Sequence, residues 1–135
     1  MDGRGIAASL VLGASAVQMG TAFMSCEEAG VADEWLKALL KSDDRSTVIT
    51  RTFTGKYARG IRNRFIEEMT PLEKEIPGYP LQNWLTRGIR NAARLKGEPD
   101  FMSLWAGQGS AMCRRMKARE LVEKLVSETV AILAK

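Results

Sequence analysis

Few residues in this sequence have types and spacing that could do chemistry, and one common catalytic type is missing. The 135 residues include no histidine, the side chain that most often moves protons or binds metals near neutral pH. Any proton transfer must come from another residue type or from another molecule. Cys26 and Cys113 lie far apart and form no close-spaced metal or redox motif. They read as small packing residues of a reduced, cytoplasmic protein, and no metal site is expected. What remains are glycine-bearing turns with polar neighbours: Asp2-Gly3-Arg4-Gly5, Gln18-Met19-Gly20-Thr21 and Ala106-Gly107-Gln108-Gly109. Glycine lets a backbone come close to a ligand, and a threonine hydroxyl or a glutamine amide can donate to it. Taken alone, Gly20-Thr21 is better read as a strand-to-helix turn in a core, and Ala106-Gly107-Gln108-Gly109 equally well as a tight loop between helices.

Charge narrows the partners. Twenty basic against sixteen acidic side chains give +4, a surplus that names no partner by itself. Arg51, Lys56, Arg59, Arg62 and Arg64 form a basic cluster, but Glu67, Glu68, Glu73 and Glu75 follow at once. That alternation predicts a solvated, ion-paired surface rather than a nucleic-acid interface. Arg114, Arg115, Lys117 and Arg119 read as the polar approach to a final helix. The apolar stretch of residues 6–17 is interrupted by Ser9, Gly13 and Ser15. It is too short for a bilayer and a poor signal peptide, so no membrane partner is expected.

The elements that must position these residues follow from periodicity. Residues 5–12 predict a short helix closed by Gly13, and residues 16–19 a brief buried strand stopped by Gly20-Thr21. Residues 27–41 carry Val31, Trp35, Leu36, Leu39 and Leu40 at helical spacing, broken near Gly30. The β-branched run from Thr47 to Phe53, the turn Thr54-Gly55-Lys56 and Tyr57-Ala58-Arg59 predict a hairpin near 47–59. Residues 61–68 are expected to be helical, and Pro71, Pro77 and Pro80 then impose an ordered loop. Residues 81–96 predict an amphipathic helix with Leu81, Trp84, Leu85, Ile89, Ala92, Ala93 and Leu95 mainly on one face and Arg87, Arg90 and Arg94 on another. From Ala118 onward Leu121, Val122, Leu125, Val126, Thr129, Ile132 and Leu133 predict a last helix, with Glu120 and Lys124 paired on its wet side. Trp84, Phe101 and Trp105 are expected in the core.

The ordered set Asp2-Gly3-Arg4-Gly5-Ile6-Ala7-Ala8, Leu12-Gly13-Ala14 and Val17-Gln18-Met19-Gly20-Thr21, with Phe23 beyond, resembles the nitronate monooxygenase family, formerly the 2-nitropropane dioxygenases. The likeness continues through Arg59-Gly60-Ile61-Arg62-Asn63, Tyr79-Pro80-Leu81-Gln82-Asn83 and Ser103-Leu104-Trp105-Ala106-Gly107-Gln108-Gly109. It implies an α/β fold: the last helix-strand step of an FMN-binding TIM barrel over residues 1–25, then a mainly helical region with a small hairpin over residues 26–135. A complete barrel needs roughly 250 residues, so the chain is expected to be a C-terminal portion of one.

The resemblance further implies FMN as cofactor and an alkyl nitronate and O2 as substrates. It places Gly3, Gln18, Met19, Gly20 and Thr21 at the flavin and its phosphate, and Gln108 beside the flavin or substrate. The family's catalytic histidine is absent from this chain, so no catalytic residue is assigned. Where the family has Arg after Gly-Thr, this sequence has Ala22, which puts that contact in doubt. The alternative is a non-catalytic helical module that associates with another chain. The open faces of an incomplete barrel would favour such contact, including self-association.

Overall fold

The computed structural model describes residues 2–134, and its elements follow local capping chemistry closely. Helix α1 spans Gly3–Val11. Asp2 starts it by accepting from the amides of Arg4 at 3.1 Å and Gly5 at 3.2 Å, as an N-cap carboxylate does. Residues 12–20 contain no helix or strand, and α2 is a single turn, Thr21–Met24. Gly30, at φ 62°, ends a 3-10 turn, Glu27–Ala29, and separates it from α3, Asp33–Lys41. This is the expected break, and glycine is what the left-handed backbone there favours.

The hairpin is present but shorter than expected. Strand β1, Thr47–Thr50, pairs antiparallel with β2, Ala58–Ile61, in the register Thr47 to Ile61. Residues 51–53 leave the ladder because side chains offer the backbone another partner. Thr50 Oγ1 accepts from the Thr52 amide at 3.1 Å, and the two hydroxyls lie 2.7 Å apart. The turn drops Phe53 into the core, 1% exposed. Ile61 belongs to β2 rather than to the following helix. The signal for that boundary is Asn63, whose Oδ1 accepts from Ile66 N at 3.2 Å and caps α4, Arg64–Met69.

A 3-10 stretch, Thr70–Glu75, leads to α5, Leu81–Lys96. The span is as expected, but of the apolar face only Ala93 is buried. Gln82, Thr86 and Ala93 are buried, while Leu81, Trp84, Leu85 and Ile89 are exposed. The reason lies in the hairpin loop. Gln82 Nε2 donates to Thr52 O and Thr86 Oγ1 to Phe53 O, both at 2.6 Å. Carbonyls that leave a sheet ladder and become buried require donors, and these two side chains supply them.

Phe53 packs against Phe65 at 5.1 Å between ring centroids and edge-on to Trp105 at 5.6 Å. Trp105 stands in a segment that pairs with β2 through Ile61 N to Leu104 O, 2.8 Å, and Ala106 N to Arg59 O, 3.2 Å. A second cluster of Leu39, Ile61, Ala93, Met102, Leu104 and Ala106 lies beside it. Asn63 Nδ2 ties the region together, donating to Pro99 O at 2.9 Å and Met102 O at 2.8 Å.

The final helix α6, Ala118–Leu133, returns to pack on α1 and α2 through Leu121, Leu125 and Thr129. Its first turn is capped from afar: Glu28 accepts from the Ala118 amide at 2.9 Å. Glu120 turns back to the Lys117 amide at 3.3 Å. Lys124 approaches Glu128 at 4.0 Å instead of forming the expected pair with Glu120.

Residues 16–19 require a correction. They were expected to form a strand, yet among the described residues nothing pairs with them, and residues 15–19 make no backbone hydrogen bond. A parallel strand needs neighbours in the sheet, and the described residues supply none.

Candidate functional site

The site is best built outward from Gly20 and Thr21. Gly20 O accepts from the amides of Phe23 at 3.0 Å and Met24 at 3.2 Å, which turns the chain into α2. The amides of Gly20, Thr21 and Ala22 meet no acceptor among the described residues, and no side chain caps the turn. Successive free amides of this kind suit an anion. Gly20 is exposed, and a Cβ placed on it would meet nothing within 4 Å. Packing within the chain does not require a glycine there, so the open space in front of it is available to a ligand.

Thr21 connects this turn to a distant one. Its Oγ1 accepts from the Gly107 amide at 2.9 Å, and its carbonyl from the Cys113 thiol at 3.4 Å. The bond fixes the hydroxyl as an acceptor toward the protein and leaves its own proton free to donate elsewhere. Gly107 precedes the 3-10 turn Gln108–Met112. The Gly-Gln-Gly motif near the C-terminus is thereby held against the Gly-Thr motif near the N-terminus. Gln108 is exposed on that turn. Ser110, two positions on, is 1% exposed, and its hydroxyl has no hydrogen-bond partner among the described residues. Only its place in the Gly109-Ser110 turn signalled it in the sequence.

The other expected residues are placed less directly. Gln18 is exposed on the unpaired segment, and Met19 is half-buried beside Ala22, Leu121 and Leu125. Gly3 lies elsewhere, where α1 crosses α6. Its amide donates to Glu128 Oε2 at 2.9 Å, and a Cβ there would meet Glu128 Cβ at 2.3 Å. The glycine permits a close helix crossing, and a carboxylate already occupies its amide. Ala22 is buried at 4% against α6, so its side chain contributes only packing.

Neither thiol is poised to react. Burial pushes Cys113 up from its ordinary range, and burial also raises Cys26. Both therefore remain protonated and poorly nucleophilic at neutral pH. Thus the site offers hydrogen-bond donors and open space but no proton-transfer group. Trp105 is half-buried in the aromatic cluster and Trp84 stands 71% exposed on α5, so the expectation of a core role holds for Trp105 and not for Trp84.

Residues 1–128 match the family model described as nitronate monooxygenase. A probable nitronate monooxygenase of Staphylococcus saprophyticus is 44% identical over 133 residues, 98% of this chain and 38% of the relative. A probable nitronate monooxygenase of Staphylococcus aureus is 43% identical over the same shares. Among solved structures, nitroalkane oxidase from Streptomyces ansochromogenes superposes with a TM-score of 0.93 at 41% identity, over 99% of this chain and 38% of that one. FabK from Thermotoga maritima gives 0.81 at 30% identity, over 98% and 42%. The chain therefore spans 38% of the length of the curated relatives it matches. With a family match that covers nearly every residue and a common geometry in the matched part, the chain belongs to the nitronate monooxygenase family.

Proposed function

We propose that this chain supplies part of the FMN phosphate site of a nitronate monooxygenase with a TIM-barrel flavin domain, acting on alkyl nitronates with O2 in the cytoplasm. The observation that carries the reading is the turn at Gly20-Thr21, with its unpartnered amides and its link to Gly107. The amides of Gly20, Thr21 and Ala22 would hold the phosphate oxygens. The Thr21 hydroxyl, already accepting from Gly107, would donate its proton to the same group. Gln18 and Met19 lead into that turn, and Gln108, next in sequence to Gly107, would offer its side-chain amide to the flavin or substrate. Gly3 supports the site through the α1–α6 crossing, because a phosphate at its amide would have to displace Glu128.

When bound, FMN supplies the electron transfer that oxidises the nitronate with O2. The residues of this chain bind and orient and move no proton. Free Cys26 and Cys113 suit a reducing compartment, and no helix here is long and apolar enough to cross a membrane.

Fluorescence titration tests the reading. FMN emission should be quenched by the purified chain, more strongly than riboflavin, which lacks the phosphate. Gly20→Val should weaken the FMN response and leave any riboflavin response unchanged. Equal affinity for the two flavins, or no quenching of either, would remove the phosphate-site reading.

A further inference from the structure

Helix α5 turns an apolar stripe outward. Leu81, Trp84, Leu85, Ile89 and Leu95 are 56%, 71%, 61%, 47% and 84% exposed. They recur mainly three and four positions apart, so they share one side of the helix with the exposed Gly88 and Ala92. Gln82, Thr86 and Ala93 hold a different side against the body of the chain. The stripe leaves roughly 600 Å² open, the upper end of what a typical folded monomer exposes in one apolar patch. Gly88, in its middle, is the second observation. A glycine in mid-helix costs about 0.5–1 kcal/mol relative to alanine. Its backbone has no positive φ, and a Cβ there would meet nothing within 4 Å among the described residues. Packing within the chain does not call for a glycine. It leaves a notch in the stripe through which another backbone can come close.

We propose that α5 packs on α5 of a second copy of this chain, antiparallel and crossing at Gly88. The inference uses neither the Gly20-Thr21 turn nor residues 15–19, so it stands apart from the flavin reading. In this register Trp84 of one copy lies over Ala92 of the other, and Leu81 meets Leu95. Large side chains thus sit on small ones around the notch. Two such stripes bury about 1,200 Å² between them, the lower end of a specific, stable interface. Charge decides against other occupants. At 3.6 residues per turn, Arg87, Arg90 and Arg94 lie roughly 120–180° around the axis from the centre of the stripe. Arg90 is turned onto its own helix, donating to Asn83 O at 2.9 Å and Asn83 Oδ1 at 2.8 Å. A helix lying on an anionic lipid surface carries cations beside its apolar face, and an acidic partner needs them inside the contact. Here the arginines point away from it. Lys96 is the one cation of α5 at the edge of the stripe, and it stands at the helix end, clear of the crossing. The basic charge of α5 therefore does not oppose pairing with itself.

Sedimentation equilibrium of the purified chain tests the proposal, and a dimer with a micromolar dissociation constant is expected. Leu85→Glu should weaken it about a hundredfold, because each copy then sets an unpaired carboxylate in an apolar contact. Val126→Glu, on α6, should leave it intact. Gly88→Leu should abolish the dimer without lowering the thermal midpoint, since the new side chain meets nothing in its own chain and leucine favours a helix. Cysteine cross-linking reads the register and decides even if a variant folds poorly. Gly88→Cys should join to itself, and Leu81→Cys should join Leu95→Cys when the two variants are mixed. A chain that stays monomeric at about 100 µM would overturn the inference. So would a dimer lost on Val126→Glu and kept on Leu85→Glu, or Leu81→Cys joining to itself, which marks a parallel pair. A monomer that binds phosphatidylglycerol vesicles through Trp84 and Leu85 would overturn it as well.

Discussion

The hairpin region and the α1–α6 end satisfy their backbones differently. Around the hairpin, carbonyls that leave the ladder are met by Gln82 and Thr86, and Asn63 binds two more from a neighbouring loop. At the other end, residues 15–19 have no such partners among the described residues, and an apolar groove stands open beside them. The first region meets its carbonyls with its own side chains, whereas the second leaves backbone groups and apolar side chains open. Buried polar side chains thus make the difference between a closed core in one place and an open groove in the other.

Paired truncations give the largest test. Phe53→Ala removes a ring that is 1% exposed and should destabilise the fold by about 3–5 kcal/mol in denaturant titration. Val126→Ala, at 57% exposure, should change stability by no more than about 0.5 kcal/mol. Similar costs at the two sites would break the comparison. Next in size is Asn63→Ala, which removes the α4 cap and leaves the carbonyls of Pro99 and Met102 short of a donor. A loss of about 2–3 kcal/mol is expected in the same assay.

Gly3→Ala addresses the open end. The added methyl would meet Glu128 Cβ at 2.3 Å and Thr129 N at 2.6 Å, so α1 must shift at a cost of about 1–3 kcal/mol. Amide exchange should quicken in α1 while the Ile61–Leu104 bond stays protected. Thr21→Val deprives the Gly107 amide of its acceptor. About 1 kcal/mol should be lost, seen as faster exchange at Gly107, whereas Thr21→Ser should retain protection.

The smallest effect depends on pH. The Ala118 amide, donating to Glu28, holds that carboxyl below its ordinary range. A depressed folded-state value means that the contribution is present above the unfolded value and disappears as pH falls through the folded one. The first turn of α6 should therefore fray on acidification below the usual glutamate range, and Glu28→Gln should flatten that dependence when α6 amides are followed by NMR.

Much of the fold was legible from residue types. The spans of α5 and α6, the break at Gly30 and the Gly20-Thr21 turn all follow from periodicity and glycine placement. The facing of α5 was not legible, because a hydrophobic stripe predicts burial only when the neighbouring surface is apolar. Here the neighbouring surface is a loop rich in unsatisfied carbonyls, and Gln82 and Thr86 outcompete Trp84 and Leu85 for it. The segment at residues 16–19 has a strand-like sequence but nothing to pair with among the described residues. At the candidate site, Gly20, Thr21 and Gln108 could be named from their motifs. The bond that joins Thr21 to Gly107 could not, since no local pattern reveals a contact between positions 86 apart.

The crossing of α1 over α6 also bears on how the molecule is made. Gly3 and Glu128 are 125 positions apart, so α1 rests on a helix synthesised much later. At roughly 5–20 residues per second, α1 waits on the order of ten seconds after leaving the ribosome before its support exists. The hairpin region, with contacts closer in sequence, can close during that interval. Assembly at this end therefore waits on later synthesis, and Ile6 and Val17 stay open to chaperones or to aggregation until α6 has emerged.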